Sequence, residues 1–191
     1  MTLYKQKYRI ESARLKGWDY RNPGYYFVTI CTKNRAQYFG QVTNGQMHLS
    51  AAGEIAAQCW REIPIHHPNV ELDEFVVMPN HMHGIVVIHE HVETLRGGVE
   101  TLHDGGETLH ATSLQSIISP KAGSLSVIIR SYKSAVTKSA GLNGFKEFAW
   151  QARFYDHIIR DEKSFHKIRA YIFDNPVKWE LDKENPSGLS M

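Results

Sequence analysis

The apolar positions of this chain change period several times, and each change marks an element. Two runs rich in β-branched residues, ending at Met78 and starting after His83, flank Pro79-Asn80. They predict two strands, Val70 to Met78 and His81 to Ile88, joined by a tight turn. Upstream, Tyr25 to Cys31 reads as a strand introduced by Asn22-Pro23-Gly24, and Phe39 to Leu49 as a small hairpin turning at Asn44-Gly45. Ser50 is placed to cap a helix in which Ala52, Ile55, Ala56, Cys59 and Ile63 recur at helical spacing until Pro64. Ser124 opens a second helix with the apolar stripe Leu125, Ile128, Ile129, Tyr132 and Val136; Arg130, Lys133 and Thr137 lie on its polar side, and Gly141 ends it. A strand follows near Phe154 to Ile159. Asp161 then caps a last helix that buries Phe165, Ile168 and Ile172 and ends or bends at Asn175-Pro176.

One segment fits no period. Glu93-Thr94-Leu95 recurs as Glu100-Thr101-Leu102 and Glu107-Thr108-Leu109, with Gly97-Gly98 and Gly105-Gly106 between the copies. Paired glycines oppose a stable heptad helix, so 91–123 reads as a flexible glycine-rich insertion in a single domain spanning 1–191. Without the hairpin and the insertion, the order is strand, helix, strand, strand, helix, strand, helix. That is the α+β class with a ferredoxin-like split βαβ order: one antiparallel sheet, helices on one face, and a further C-terminal helix. The opposite face is expected to be open and to carry a ligand site.

Composition narrows the class. Hydrophobic residues make up 42% and charged residues 22% of the chain, ordinary values for a soluble globular protein. No apolar run approaches the roughly 18 residues of a membrane span, and Met1 to Lys5 has no signal-peptide core. Cys31 and Cys59 stand alone without a Cys-x-x-Cys pair, which suits buried reduced thiols in a cytoplasmic protein. The net charge of +2 conceals an asymmetry: between Glu90 and His110, Glu90, Glu93, Glu100, Asp104 and Glu107 stand against only Arg96. Lys5, Lys7, Arg9, Arg14, Lys16 and Arg21 crowd the first two dozen residues, interleaved with Tyr4, Tyr8, Trp18 and Tyr20. Such an arm can follow a phosphate backbone and stack on bases, or be a solvated basic tail.

The chemistry-bearing residues gather around the central hairpin. Side chains on a strand alternate, so His81 and His83 share one face while Met82 points to the other. Two adjacent imidazoles suit a shared metal ion, although a bare His-x-His more often marks two surface histidines. On the last helix Tyr171 lies at the rim of the apolar stripe and Asn175 four residues later on the same face. A hydroxyl and a carboxamide can thus approach one site, with the carboxamide oxygen a hard neutral ligand completing a His-His-Asn set. The ordinary alternative is an interface tyrosine and a helix-ending asparagine.

Three ordered stretches resemble a known family. Phe75 to Ile88 with His81-Met82-His83, Trp150 to Arg160, and Tyr171-Ile172-Phe173-Asp174-Asn175-Pro176-Val177-Lys178 are similar to the single-tyrosine transposases of the HUH class, most of all the REP-associated tyrosine transposases of bacteria. The resemblance spans roughly Tyr25 to Trp179 apart from the insertion. It implies a nucleoid-associated cytoplasmic enzyme that cuts and rejoins single-stranded DNA beside hairpins, as a monomer or a homodimer. By the same resemblance His81, His83 and Asn175 bind Mg²⁺ or Mn²⁺ and Tyr171 is the nucleophile. Asn175 departs from the glutamine found in insertion-sequence relatives; it keeps the carboxamide but shortens its reach.

The chemistry follows from those residue types. Direct attack on a phosphodiester needs an in-line nucleophile and neutralised phosphate oxygens, and tyrosine supplies the first with a phenol whose ordinary pKa is near ~10. The resemblance implies the polarity of the product, a 5′-phosphotyrosine link with a free 3′-hydroxyl. No Gly-x-x-x-x-Gly-Lys phosphate loop is present, consistent with an exchange that requires no ATP. Arg130, Lys133, Lys5, Lys7 and Arg9 are the candidate DNA contacts. The rival readings are a domesticated descendant that cuts hairpin DNA without moving an element, a non-catalytic hairpin or single-strand binding protein, and a metal-dependent hydrolase.

Overall fold

The structure, a computed structural model, describes residue 15, residues 17–90 and residues 122–181. The candidate contacts Lys5, Lys7 and Arg9, and all of the expected insertion except its last two residues, lie outside the described residues. In chain order the elements are β1 (Gly24–Cys31), β2 (Gly40–Thr43), β3 (Gln46–Leu49), α1 (Ala51–Arg61), α2 (Ile63–His66), β4 (Val70–Met78), β5 (His81–Ile88), α3 (Leu125–Leu142), β6 (Tyr155–Ile159) and α4 (Glu162–Phe173), with 3₁₀ turns at Lys33–Arg35 and Trp179–Leu181.

The local signals act as their physics requires. Ser50 Oγ accepts the Gly53 N–H at 3.2 Å and starts α1, and Asp161 Oδ1 accepts the Ser164 N–H at 2.8 Å and starts α4. Asn44 and Gly45 both adopt positive φ, 53° and 71°, the twist that a two-residue hairpin demands. Pro64 does not stop the helical run as expected. It sits in the first turn of the separate helix α2, after a break at Glu62, where a missing N–H leaves no bond unmade.

The four long strands form one antiparallel sheet in the order β4-β5-β1-β6, the arrangement of a ferredoxin-like split βαβ sheet. One face packs on α1 and α3. Tyr26, Val28, Ile30, Met82, Val86 and Ile88 meet Ala52, Ala56, Trp60, Leu125, Ile128, Ile129, Tyr132 and Val136 there. Trp60, absent from the expected stripe of α1, is fully buried at its centre and crosses the Tyr132 ring edge-on at 5.2 Å. The room for it comes from Gly84, where a Cβ would stand 2.5 Å from the indole Cζ2. The glycine after His81-Met82-His83 is therefore set by the core on one face, while the histidines serve the other.

That other face is not open, as the sequence suggested. α4 lies across it, packing Ile172, Phe165 and Ile168 on Phe27, Ile85, Val87 and Ile159 in a second, smaller core. A bulge in β4 helps to seat it. Leu72 pairs with Val86 but Phe75 with Gly84, so Asp73 and Glu74 together oppose a single residue of β5. Arg169 of α4 reaches both carboxylates, at 2.8 Å from Asp73 and 3.8 Å from Glu74.

Candidate active site

His81 and His83 begin β5 immediately after the Pro79-Asn80 turn, and cross-strand pairing sets what stands beside them. Cys31 is opposite His81, and Thr29 opposite His83. Both imidazoles are buried, 0% and 2% exposed, which disposes of the alternative of two surface histidines. Their Nε2 atoms approach to 3.0 Å.

The rings are held from behind. Asn80 Nδ2 donates to the Arg35 carbonyl at 3.3 Å, so its Oδ1 faces His81 Nδ1 at 2.9 Å and accepts a hydrogen bond from that N–H. That fixes the tautomer of His81 with the Nε2 lone pair directed into the site. Thr29 Oγ1 lies 2.8 Å from His83 Nδ1 and can fix the second ring in the same way. The turn is itself clamped: the backbone N–H groups of Thr32 and Phe39 donate to the Asn80 and Pro79 carbonyls at 2.9 and 3.0 Å. Arg35 adopts a left-handed φ of 57° where its carbonyl meets Asn80, a conformation that side-chain-bearing residues seldom take. Trp179, in the 3₁₀ turn after α4, packs on the His81 ring at 5.9 Å.

From α4, Tyr171 brings its hydroxyl to 3.2 Å from His83 Nε2. Its ring stands 5.1 Å from His83 and 6.2 Å from Phe27, and the side chain is 39% exposed. The other two tyrosines on neighbouring elements are placed differently. Tyr132 is buried and its hydroxyl donates to the Ala56 carbonyl at 3.3 Å; burial holds its phenol well above the usual tyrosine range. Tyr155 sits on edge strand β6 with its ring 6.5 Å from Phe27.

Asn175 lies close in sequence but not on the helix expected for it. α4 stops at Phe173 with Asp174 as its C-cap, and Pro176 cannot extend it. Asn175 occupies the tight turn that follows, its N–H donating to the Ile172 carbonyl at 3.3 Å, and it is 2% exposed.

The donor set fits a divalent ion. Two imidazole nitrogens in adjacent positions at about 2.1 Å from one ion stand roughly 3 Å apart when the angle between them is near a right angle, and the His81–His83 separation is 3.0 Å. Their Nδ1 atoms meet oxygen partners, the outer-shell pattern of metal-binding histidines. Among the described residues no third His, Cys, Asp or Glu joins the pair. Further ligands would have to be a carboxamide such as Asn175, water or substrate oxygens.

The DNA-contact candidates on α3 divide. Arg130 is exposed. The Lys133 ammonium donates to the Gln151 carbonyl at 2.6 Å, and burial lowers its pKa from the ordinary lysine value. Trp150 Nε1 donates back to the Lys133 carbonyl at 3.1 Å, so α3 holds the segment leading into β6.

Sequence reasoning missed Thr29, Asn80 and Trp179. Thr29 looks like any strand threonine until register places it beside His83, and Asn80 like any turn residue until its carboxamide is seen between Arg35 and His81. Only Trp179 carried a signal, as a large aromatic just beyond the Tyr171 to Lys178 motif.

No family model matches the chain. A Haemophilus influenzae protein, described as uncharacterized, is 43% identical over 173 residues, covering 90% of this chain and 91% of its own length. Among solved structures, a REP-associated tyrosine transposase bound to a REP hairpin superposes with a TM-score of 0.56. That alignment covers 91% of this chain and 77% of the other at 22% identity, and it establishes likeness of fold.

Proposed function

We propose a function for a chain that belongs to one family with the Haemophilus influenzae protein and shares the fold of a hairpin-bound tyrosine transposase: it is a transposase-type single-strand endonuclease and strand transferase. The observation that carries the reading is the Tyr171 hydroxyl, 3.2 Å from the nitrogen that His83 also turns toward His81. A phenol on a half-exposed helix rim, aimed at a buried and oriented histidine pair, is placed for nucleophilic chemistry at a ligand bound over those rings.

The substrate is single-stranded DNA carrying a hairpin. Tyr171 Oη attacks the scissile phosphorus, forming a P–O bond to the tyrosine as the P–O3′ bond breaks. The phenol gives up its proton and the departing 3′ oxygen takes one, so one phosphodiester is exchanged for another and nothing is oxidised. A second 3′-hydroxyl reverses the step and joins a different strand. A divalent ion, Mg²⁺ or Mn²⁺, held by His81 and His83 with Asn175 as third ligand, would supply Lewis-acid charge to the phosphate oxygens. Asn80 and Thr29 keep both rings oriented with their Nε2 atoms toward the phosphate. Phe27 and Trp179 flank the rings with apolar surface that keeps bulk water from their sides. Arg130 and the basic arm with Lys5, Lys7 and Arg9 contact the DNA backbone, whereas Lys133 secures the segment before β6.

Covalent trapping tests the reading. The protein is incubated with labelled strands from the DNA flanking its own gene, then denatured. A protein–DNA adduct that forms on hairpin-bearing single strands, not on blunt duplex, and that vanishes in His81→Ala or with chelator is the expected result. Binding without any adduct would instead leave a non-catalytic hairpin-binding protein.

A further inference from the structure

A pocket lies at the outer edge of β6. Among the described residues, β1 is the strand that pairs with β6. The pocket has a volume of about 380 Å³ and is lined by Tyr20, Tyr155, Asp156, His157, Arg160 and Ser164 among others. That volume is in the range of small-molecule sites.

The strand that lines the pocket also borders the candidate active site. Tyr155 pairs across the strands with Thr29, and His157 with Phe27. Tyr155 and His157 therefore share the sheet face that carries His83. Phe27 is the bridge: its ring is 6.5 Å from Tyr155, 5.4 Å from His83 and 6.2 Å from Tyr171. A strand with its phosphate at Tyr171 reaches the Tyr155 ring within one or two nucleotides.

Chemistry decides which part of a nucleotide fits. The N-terminus of α4 borders the pocket, but it is already capped by Asp161, whose carboxylate accepts both the Ser164 N–H at 2.8 Å and the Ser164 hydroxyl at 2.7 Å. Those bonds hold Asp161 below the usual carboxylate range, so a phosphate there would meet a fixed negative charge. What remains is an aromatic floor, with Tyr155 52% exposed, and a rim of polar side chains including Arg160. That combination suits a base, with the sugar-phosphate left outside.

We propose that this pocket holds one unstacked base of the strand being cut, within two nucleotides of the scissile phosphate, with Tyr155 as its stacking platform and Arg160 on its rim. The proposal rests on the single-strand DNA reading above and adds a position-specific base contact to it.

The test uses the full chain carrying Tyr171→Phe, which binds without cutting, and a hairpin oligonucleotide from the DNA flanking its own gene. 2-Aminopurine is placed at each single-stranded position in turn, and an abasic residue at the same positions in a second series. One position is expected to lose emission on binding and to weaken binding at least about fivefold when abasic. In protein also carrying Tyr155→Ala, both effects disappear at that position, while Tyr155→Phe retains them. An abasic penalty that persists unchanged in Tyr155→Ala, or the absence of any sensitive position, overturns the pocket. The chemistry is judged separately by the wild-type adduct. An adduct without a sensitive position removes only the pocket, and a Tyr155-dependent position without an adduct removes only the cleavage reading. Failure to bind the oligonucleotide removes both.

Discussion

Removing the Tyr171 hydroxyl should tighten metal binding. His83 Nε2 carries a single in-plane site, and in this structure it faces both His81 Nε2 at 3.0 Å and Tyr171 Oη at 3.2 Å. An ion bound at His83 Nε2 takes that site, so the tyrosine hydrogen bond must first be given up, whichever group donates it. A net hydrogen bond is worth about 0.5–1.5 kcal/mol, which corresponds to an affinity about two- to twelvefold higher in Tyr171→Phe. The benzene ring of the variant keeps its packing beside Phe27 and His83, so the fold is expected to be unchanged. Calorimetric titration with Mn²⁺ reads the difference directly, with His81→Ala as the control that should not bind. Weaker binding by Tyr171→Phe would refute the competition and make the phenol oxygen a ligand; equal binding would show that the contact has no energetic weight.

Three further outcomes follow from the packing. Gly84→Ala should destabilise the protein by about 3 kcal/mol through overpacking against Trp60, lowering Tm by roughly 6–12 °C; a shift under about 2 °C in a thermal melt would contradict the close approach at 2.5 Å. Arg169→Ala should leave Tm nearly unchanged, since a half-exposed ion pair contributes about 1 kcal/mol or less. Adduct formation should nonetheless slow severalfold as α4 loosens on the β4 bulge, with Mn²⁺ affinity unaltered; an unchanged rate would show that Ile172 alone seats the helix. Lys133→Met should cost about 1.5–3 kcal/mol of stability, through lost charged bonds to the loop before β6. The salt dependence of DNA binding should stay as it was, and a shallower slope would return Lys133 to the phosphate backbone.

Much of this arrangement is legible in the sequence because it is local. Runs of β-branched residues on either side of Pro79-Asn80 delimit β4 and β5 at the residues observed, and Asn44-Gly45 specifies its turn through positive φ. The i, i+3, i+4 stripe from Leu125 to Val136 identifies the buried face of α3. Strand alternation also places His81 and His83 together and Met82 in the core. What escapes is set by pairing between distant segments. Thr29 meets His83 across 54 residues, and only the β1–β5 register reveals it. Trp60, four residues after Ala56, belongs to the buried face of α1, and the room for its indole comes from Gly84 on another element. α4 covers the supposedly open face by packing Phe165, Ile168 and Ile172 on Phe27, Ile85, Val87 and Ile159, which only sheet pairing brings together; the bulge at Asp73-Glu74 that meets Arg169 is a one-residue irregularity that leaves no periodic trace. The resemblance to REP-associated transposases anticipated the fold; the orienting roles of Asn80 and Thr29 became visible only once the rings had neighbours.

The central claim is that Tyr171 is the nucleophile, and peptide mapping of the trapped DNA adduct by mass spectrometry tests it most directly. The expected result is a nucleotide-modified peptide containing Tyr171, an adduct lost in Tyr171→Phe, and an adduct retained in Tyr132→Phe, whose hydroxyl is buried against Ala56 on the far side of the sheet. A modified peptide containing Tyr155 or Tyr132, or an adduct that survives in Tyr171→Phe, would contradict it.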